Sequence, residues 1–574
     1  MSAKHQPKFR RFVEHENFSV IDAMDKLFPA WFSGGSWNTW RVVLKAAFCL
    51  KMTADEIAIF RTVAGGRAPP RKRVRELWIV AGRRAGKDSV ASLVATYSAV
   101  FFCADLRELR PGEKAVVQCL ACDRSQAQII LNYVRSYFDH VAPLRSMVTR
   151  RTATGLELQN DVCIEIGTNS YKSVRGRAFL LSILDEVAFY QDENSARPDT
   201  ETYNAVKPGL ATLPGSMLIG ISSPYRKSGL LYTKYKKHFA QDDDTVLVIQ
   251  APSLALNPTL DPEIIEKAME DDPAVARAEW MAEWRDDVSG FVDADVVAAC
   301  ISPGVRELPP VRGIRYFGFV DPSGGSSDSM TMAVAHRAAD RVVVDLVRER
   351  RPPFSPTDVC LEFSAALRSY NVGSVQSDKY AGSWVVESLA AQGIRCEQSA
   401  EPKSSLYTNL LPLLNSNRIE LLDHPRLVAQ LCGLERRTAR GGRDSIDHAP
   451  GAHDDIANAV AGAAALTLGH QGVVGDQRAF AAGRRHAPHE KIHRVGLPQA
   501  SGAGKLPHPA RAAVLPAQRS AGREVSAARR RAAMKPTVTP VPSPNRLLEK
   551  RNAQGRHVRP SEGPGYAHMF LGPK

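Results

Sequence analysis

The sequence predicts an α/β chain built as two lobes, each a sheet that delivers charged side chains at one edge of its strands. Three observations carry this. Over Leu77–Ser89 an apolar strand runs into a glycine-bracketed turn and a lysine at the mouth of a helix. A second apolar strand, Phe179–Leu184, ends in the pair Asp185-Glu186. In the second half two strands end in single acids, Asp321 and Asp378, and a small-residue helix opens on Asp454-Asp455.

At 574 residues the chain is too long for one core, and roughly two to four domains is the prior. Its 44% hydrophobic and 24% charged residues are ordinary for a soluble globular protein. The nine cysteines are scattered and mostly in apolar surroundings, as suits the reduced thiols of a cytoplasm. Cys119 and Cys122 form a lone CxxC with no second pair and no histidine at ligand spacing, so they read as strand residues. The N-terminus carries no apolar signal core, and no uncharged run is long enough to span a bilayer. Residues 471–574 hold 19 Lys/Arg and 5 Asp/Glu, so this segment carries +14, the formal charge of the whole chain. Rich in Ala, Pro, Gly and Arg, residues 469–574 read as a disordered basic arm suited to a polyanion, whose counterions each neutralised phosphate releases.

Residues 1–65 read as helical, with the apolar stripe Phe28, Trp31, Trp37, Trp40, Val43, Leu44 and Phe48. Core packing is the commoner use of such a stripe; stacking on an adenine ring is the other. The turn Ala81-Gly82-Arg83-Arg84-Ala85-Gly86-Lys87-Asp88-Ser89 has the layout of a phosphate-binding loop. In such a loop backbone N–H groups and a helix N-terminus cradle phosphates, and the lysine reaches the terminal ones. Ala81 stands where the pattern opens with glycine. Asp88 stands where a Ser or Thr normally meets Mg²⁺, leaving that ion to Ser89, to water or to the carboxylate itself.

Val116–Ala121 is a second strand, and Asp123 opens a helix after it. Leu156–Ile166 alternates on both sides of Asn160-Asp161, the pattern of a hairpin. After Phe179–Leu184, Asp185 is placed beside Mg²⁺ and Glu186 polarises the water that attacks the γ-phosphate. Phosphoryl transfer gains from a cation on its transition state. Arg175 is the candidate supplied to a neighbouring subunit, and Arg83 or Arg84 the sensor within the same one. Ser216–Pro224 is a strand ending in small hydroxyl residues, able to feel the γ-phosphate.

The order Gly-Arg-Arg-Ala-Gly-Lys, Asp-Arg-Ser-Gln-Ala, Arg-Gly before Leu-Asp-Glu, then Ser-Ser-Pro resembles the large subunit of a tailed-bacteriophage terminase. The resemblance covers about residues 20–470 and implies a P-loop NTPase domain of RecA/ASCE type followed by a second, nuclease module. Asp261-Pro262 begins a helix running towards Trp280 and Trp284, which places the ATPase domain at 66–285. From 286 to 312 periodicity is lost and the chain reads as a linker. Residues 313–468 then give Arg315–Asp321, the strand-like runs Met330–Ala335 and Arg341–Val347, helix Pro356–Arg368, Val372–Asp378, and Ala452-His453-Asp454-Asp455 opening the last helix. Carboxylates on strand, strand and helix are what an RNase H-like nuclease uses to hold two metal ions roughly 4 Å apart for in-line hydrolysis. Asp321, Asp378 and Asp454 or Asp455 are those ligands. Asp328 is an accessory acid, His453 an assistant or a cap, and Asn458 stands where the family often has a further acid.

The resemblance further implies ATP and Mg²⁺ at the first site and two Mg²⁺ or Mn²⁺ ions at the second. It implies double-stranded DNA as substrate, a terminase small subunit and a portal on a procapsid as partners, and a homo-oligomeric ring, pentameric in packaging. The chain would act in the host cytoplasm and be absent from the mature virion, with no membrane partner. Its basic tail, outside the catalytic pattern, suits DNA, the portal or the small subunit. Two other readings are an ATP-dependent helicase or repair nuclease, which needs a second RecA-like lobe not recognisable after Arg312, and a non-catalytic DNA-binding relative, which only Asp88 favours.

Overall fold

The computed structural model describes residues 18–469, apart from 102–108, 111, 171–173, 327, 379–382 and 439–443. The basic arm expected over 469–574 lies outside the described residues from 470 onward.

Strands apolar on both faces must be covered on both faces, and the first lobe is built that way. Its strands are β1 (Glu76–Ala81), β2 (Ala115–Ala121), β3 (Val148–Thr152), β4 (Gly155–Leu158), β5 (Val162–Thr168), β6 (Ala178–Asp185), β7 (Met217–Ser222) and β8 (Val246–Ala251). They lie in the order β3-β4-β5-β2-β6-β7-β1-β8. From β5 to β8 neighbouring strands are parallel. The hairpin expected around Asn160-Asp161 is β4 and β5, with β3 added antiparallel at the edge. Only β7 separates β1 from β6. The carboxyl ends of these three strands therefore lie side by side, at the edge where open parallel sheets place their ligands.

The helices Asn38–Ala47 and Ala54–Val63 cover one face of this sheet. Phe28, Trp40, Val43 and Leu44 are fully buried there, so the stripe is core at those positions, with Trp31, Trp37 and Phe48 half-buried against the same core. The helix expected to run from Pro262 towards Trp284 is two helices, Pro262–Asp271 and Pro273–Met281. Pro273 lacks the N–H that would continue the first, and Asp272 caps the second by accepting from the Ala274 and Val275 N–H groups at 3.1 and 3.2 Å.

The stretch 286–312, expected to be a featureless linker, carries β9 (Val288–Gly290), a short helix Ala294–Ala299 and β10 (Ile301–Ser302). Its apolar residues bunch in one short run, 296–301, with no sustained helix or strand period, yet Phe291 and Val297 are buried in the second core. That lobe continues through β11 (Tyr316–Asp321), β12 (Met330–Ala338), β13 (Arg341–Arg350), β14 (Ser374–Ser377), β15 (Arg395–Gln398) and β16 (Ile419–Leu422). Their order is β10-β16-β13-β12-β11-β14-β15. β11, β12 and β13 form an antiparallel meander, and β14 and β15 add on parallel to β11, which is the expected RNase H-like arrangement. β17 (Leu434–Thr438) and β18 (Asp444–His448) make a small sheet with β9.

The helix Asp455–Gly469 lies across β11, β12 and β13. A run of Ala and Gly lets it sit close: a Cβ on Gly462 would come within 2.2 Å of the Phe319 ring. This close approach brings the first turn of the helix to the ends of β11 and β14. Among the described residues no helix is long and apolar enough to cross a membrane.

Candidate nucleotide and metal sites

The loop after β1 is shaped by contacts that exclude side chains. A Cβ on Gly82 would meet Ser253 Oγ at 2.2 Å and the Trp280 carbonyl at 2.7 Å, so this turn requires glycine. Arg84 and Gly86 both take positive φ, 59° and 87°. Trp40 Nε1 donates to the Ala85 carbonyl at 2.7 Å, and Ala85 is buried, so the N-terminal helices brace the loop from beneath. The Ser253 hydroxyl and Asn257 amide donate to the carbonyls of Arg83 and Arg84 at 2.7 and 2.9 Å, fixing it from the side.

Lys87, 7% exposed, begins the helix Lys87–Phe101 and reaches across the strand ends. Its Nζ lies 3.0 Å from Glu186 Oε1 and 3.0 Å from Ser223 Oγ. Glu186 sits in the left-handed region at φ 49°, the kind of strain that gathers at functional sites. Its Oε2 accepts from Ser222 Oγ at 2.9 Å and from the Ser223 N–H at 3.2 Å. Burial opposes its charge, but Lys87, Ser222 and Ser223 prevail and hold its pKa below the ordinary glutamate range.

Asp185 is 1% exposed, and burial, with Glu186 and Asp88 adding to it, pushes its carboxyl up to about 8. Asp185 Oδ1 is buried without a hydrogen-bond partner among the described residues. Asp88 is likewise raised, by burial and by Glu186, against the pull of Lys87. The expected group of Lys87, Asp88, Asp185 and Glu186 is therefore brought together. Lys87, Asp88 and Glu186, with Arg83, Arg84 and Ser89, line a cleft of about 1460 Å³, and Asp185 lies buried behind it; Arg83 pairs with Glu279 at 2.9 Å. Arg175 is on an exposed turn and is not among the residues lining that cleft, so the chain does not bring it to its own Lys87.

The second group gathers at the ends of β11, β14 and the helix Asp455–Gly469, around a pocket of about 450 Å³. Asp321 and Asp378 follow paired residues of adjacent parallel strands. Asn458 Nδ2 donates to Oδ2 of each, at 2.9 Å in both cases. Burial drives the Asp321 carboxyl well up, against the Asn458 hydrogen bond and with help from Asp455 and Asp378. Asp455 is raised to about 6, chiefly by burial and then by Asp454, and its Oδ2 is buried without a hydrogen-bond partner among the described residues. Asp454 is differently placed. Its Oδ2 accepts from Tyr407 Oη at 2.8 Å and lies 3.0 Å from Lys403 Nζ, while its Oδ1 is 3.3 Å from the same ammonium. Of the two acids, Asp455 has the oxygen free for an ion. Asp328 lines the pocket and pairs with His453 at 3.5 Å.

Orphaned carboxylate oxygens at Asp185 and Asp455 suit hard divalent cations, which take oxygen ligands, so both sites fit the ions expected of them.

Neither a family model nor a curated protein matches the chain. Among solved structures it is similar to the large terminase of bacteriophage HK97, at 16% identity and a TM-score of 0.34, over 75% of this chain and 99% of that one. It is similar to the large terminase of a thermophilic bacteriophage at 10% identity and a TM-score of 0.33, over 76% of this chain and 100% of that one. Over 30% of its length it is similar to the large terminase nuclease of another thermophilic phage, G20c, a structure with bound magnesium, at 18% identity and a TM-score of 0.27, covering 94% of that chain.

The two sites are joined by residues that sequence reasoning did not find. Tyr225 and Arg226 follow the Ser222-Ser223 strand end and bind Glu435 of β17, Tyr225 Oη at 2.8 Å and Arg226 at 3.5 Å. Glu435 is fully buried and stands opposite Asp447 of β18. Asp447 pairs with Lys403 at 2.8 Å, and Lys403 holds Asp454. Nothing in Leu434-Glu435-Arg436-Arg437 marks its acid as buried. Lys403 did leave a trace: it opens a helix, where the macrodipole disfavours a cation unless an anion compensates.

Proposed function

We propose that this chain is the large subunit of a phage DNA-packaging motor: an ATP-driven translocase of double-stranded DNA joined to a divalent-metal-dependent endonuclease that cuts concatemeric DNA. The observation that carries the reading is the coexistence, in one polypeptide, of the Lys87–Glu186 pair beside Asp185 and of the Asp321, Asp378 and Asp455 pocket.

At the first site the loop amides of Gly82–Lys87 and the N-terminus of the following helix would take the phosphates of ATP. Lys87 would exchange its contacts with Glu186 and Ser223 for the terminal phosphates, which frees the Glu186 carboxylate to accept a proton from the attacking water. Ser222 and Ser223 keep hydrogen bonds to Glu186, so the end of β7 would move with that exchange. Asp185, with Asp88 beside it, would hold Mg²⁺, which neutralises charge on the phosphates. Arg84 would serve as the sensor within the chain and Arg175 would reach a neighbouring copy in a ring, a pentamer in packaging.

At the second site Asp321, Asp378 and Asp455 would hold one or two Mg²⁺ or Mn²⁺ ions, whose chemistry is to generate a hydroxide nucleophile and stabilise the leaving oxygen. Lys403 and Tyr407 fix Asp454 behind them. In this reading the small subunit recruits the chain to DNA, the portal receives it, the basic tail engages one of these or the duplex, and the work is done in the host cytoplasm.

ATP hydrolysis by the full chain and its Lys87→Ala variant tests the motor, with a loss of at least about 100-fold expected for a group acting on the transition state. Plasmid cleavage in Mn²⁺ by the full chain and Asp321→Ala tests the nuclease. Equal rates in either pair would remove that half of the proposal, and ATP-dependent uptake of DNA into empty procapsids tests the whole.

A further inference from the structure

We infer that Asn458 is a working member of the divalent-cation pocket: its carboxamide clamps Asp321 to Asp378 from the place an ion takes, and turns to serve that ion as an oxygen ligand. This rests on reading the pocket as a metal site. As the amide stands, its NH₂ group donates to Oδ2 of both Asp321 and Asp378, at 2.9 Å each. One nitrogen thus bridges acids from two different strands, β11 and β14. That is the position from which a cation would be shared by both.

The other end of the amide is equally telling. Asn458 is 1% exposed, and its Oδ1 is buried with no hydrogen-bond partner among the described residues. An unsatisfied buried carbonyl is costly and calls for a reason. One turn earlier on the same helix face, Asp455 Oδ2 is orphaned in the same way. A half-turn about the terminal torsion, which is broad and roughly two-fold for this side chain, exchanges Nδ2 and Oδ1 without moving the helix. The pocket then offers a donor when it must hold two carboxylates together and an acceptor when it must hold a cation. Asp454 has no such freedom, because Lys403 and Tyr407 engage both its oxygens.

The test uses the full chain in an Asp185→Asn background, without nucleotide, so that Mn²⁺ at the first site does not obscure the second. Mn²⁺ affinity is read by electron paramagnetic resonance of the free ion, and melting temperature is measured in EDTA and in Mn²⁺. Asn458→Asp keeps the shape and replaces the donor by an anionic oxygen. It is expected to melt below its parent in EDTA, where a further acid faces Asp321 and Asp378, and at or above its parent in Mn²⁺, with affinity at least about tenfold tighter, the lower end of what shell residues of metal sites contribute. Asn458→Ala is expected to weaken Mn²⁺ binding about tenfold. Equal lowering of the melting temperature in EDTA and Mn²⁺ for Asn458→Asp, with Mn²⁺ affinity unmoved in both variants, would make Asn458 purely structural and overturn the inference. Asp321→Asn separates the two claims. If it leaves Mn²⁺ binding intact the pocket itself is misread; if it abolishes binding while the Asn458 variants change nothing, only the role of Asn458 falls.

Discussion

Asp185 has the most consequential electrostatic setting in the chain, because it must be ionised to hold a cation yet keeps its proton up to about 8. The unfolded carboxyl releases that proton near 3.8, so between these values the folded state binds more protons than the unfolded one. Folded stability in EDTA should therefore fall as pH rises through that window, and Mg²⁺, which replaces the proton, should restore it most at the alkaline end. The apparent Mg²⁺ requirement of ATP hydrolysis should ease by up to about tenfold per pH unit below that value and level off above it, as a proton and a cation compete for one carboxylate. Magnesium titrations of the ATPase rate from about pH 6.5 to 8.5, a range that straddles that competition, check this; a requirement independent of pH would mean that Asp185 is not the ligand. The second site shares this competition, since burial drives Asp321 well up and Asp455 to about 6, so nuclease metal binding should also strengthen as pH rises. Lys87, Asp185 and Glu186 were legible in the sequence because a strand, a turn and a helix in succession fix where their ends point. The roles of Lys403, Tyr407 and Asn458 were not, because each depends on a partner 47 or more residues away across the fold or on which side of an amide faces it.

The helix Asp455–Gly469 owes its place to the absence of side chains. Gly462 lies against Phe319 so closely that any Cβ must displace either the ring or the helix. Gly462→Leu would push the helix off β11, and with it Asp455 and Asn458 away from Asp321 and Asp378. Overpacking of this kind costs about 1–3 kcal/mol. The expected result is a lower melting temperature, loss of plasmid cleavage and of the stabilisation that Mn²⁺ gives, with ATP hydrolysis retained; cleavage at the parental rate would show that the close approach does not place the acids. At this scale the sequence was readable wherever burial imposes a period. Strands β1, β2, β6, β7, β11, β12, β13 and β14, the hairpin at Asn160-Asp161 and the acid-headed last helix stand where patterning puts them, whereas β3, β8, β15 and β16 drew no expectation. It was unreadable at 286–312, where short apolar runs around Phe291 and Val297 reach a core assembled from distant strands, and at Asp272-Pro273, where one continuous apolar pattern hides a cap and a break.

The lobes are held by polar contacts that converge on the small sheet of β9, β17 and β18. Glu435 is its centre: fully buried, it binds Tyr225 and Arg226 from the first lobe and Arg437, at 3.1 Å, from its own strand. Around it Gln191 donates to the Pro450 carbonyl at 3.4 Å, Arg197 pairs with Asp295 at 3.0 Å and Arg351 with Glu193 at 3.1 Å. Those outer pairs are exposed and each contributes little; Arg426, itself buried, adds a pair with Glu193, and Glu435 is the buried acid on which most partners converge. Removing it leaves the Tyr225 hydroxyl and two guanidinium groups without their anion, and truncating one member of a buried charged set costs about 3–5 kcal/mol when all members are enclosed. Arg226 is partly exposed, which lowers the expected cost to about 2–3 kcal/mol, the upper range for hydrogen bonds to charged groups. Glu435→Ala should therefore loosen the coupling between lobes before it unfolds either of them. Scanning calorimetry of the parent chain is expected to give one main transition, and of Glu435→Ala two, the first responding to ATP analogues and the second to Mn²⁺, since each ligand stabilises only the lobe that binds it. A single transition at an unchanged temperature in the variant would place the coupling elsewhere, at the buried Arg426 that pairs with Glu193.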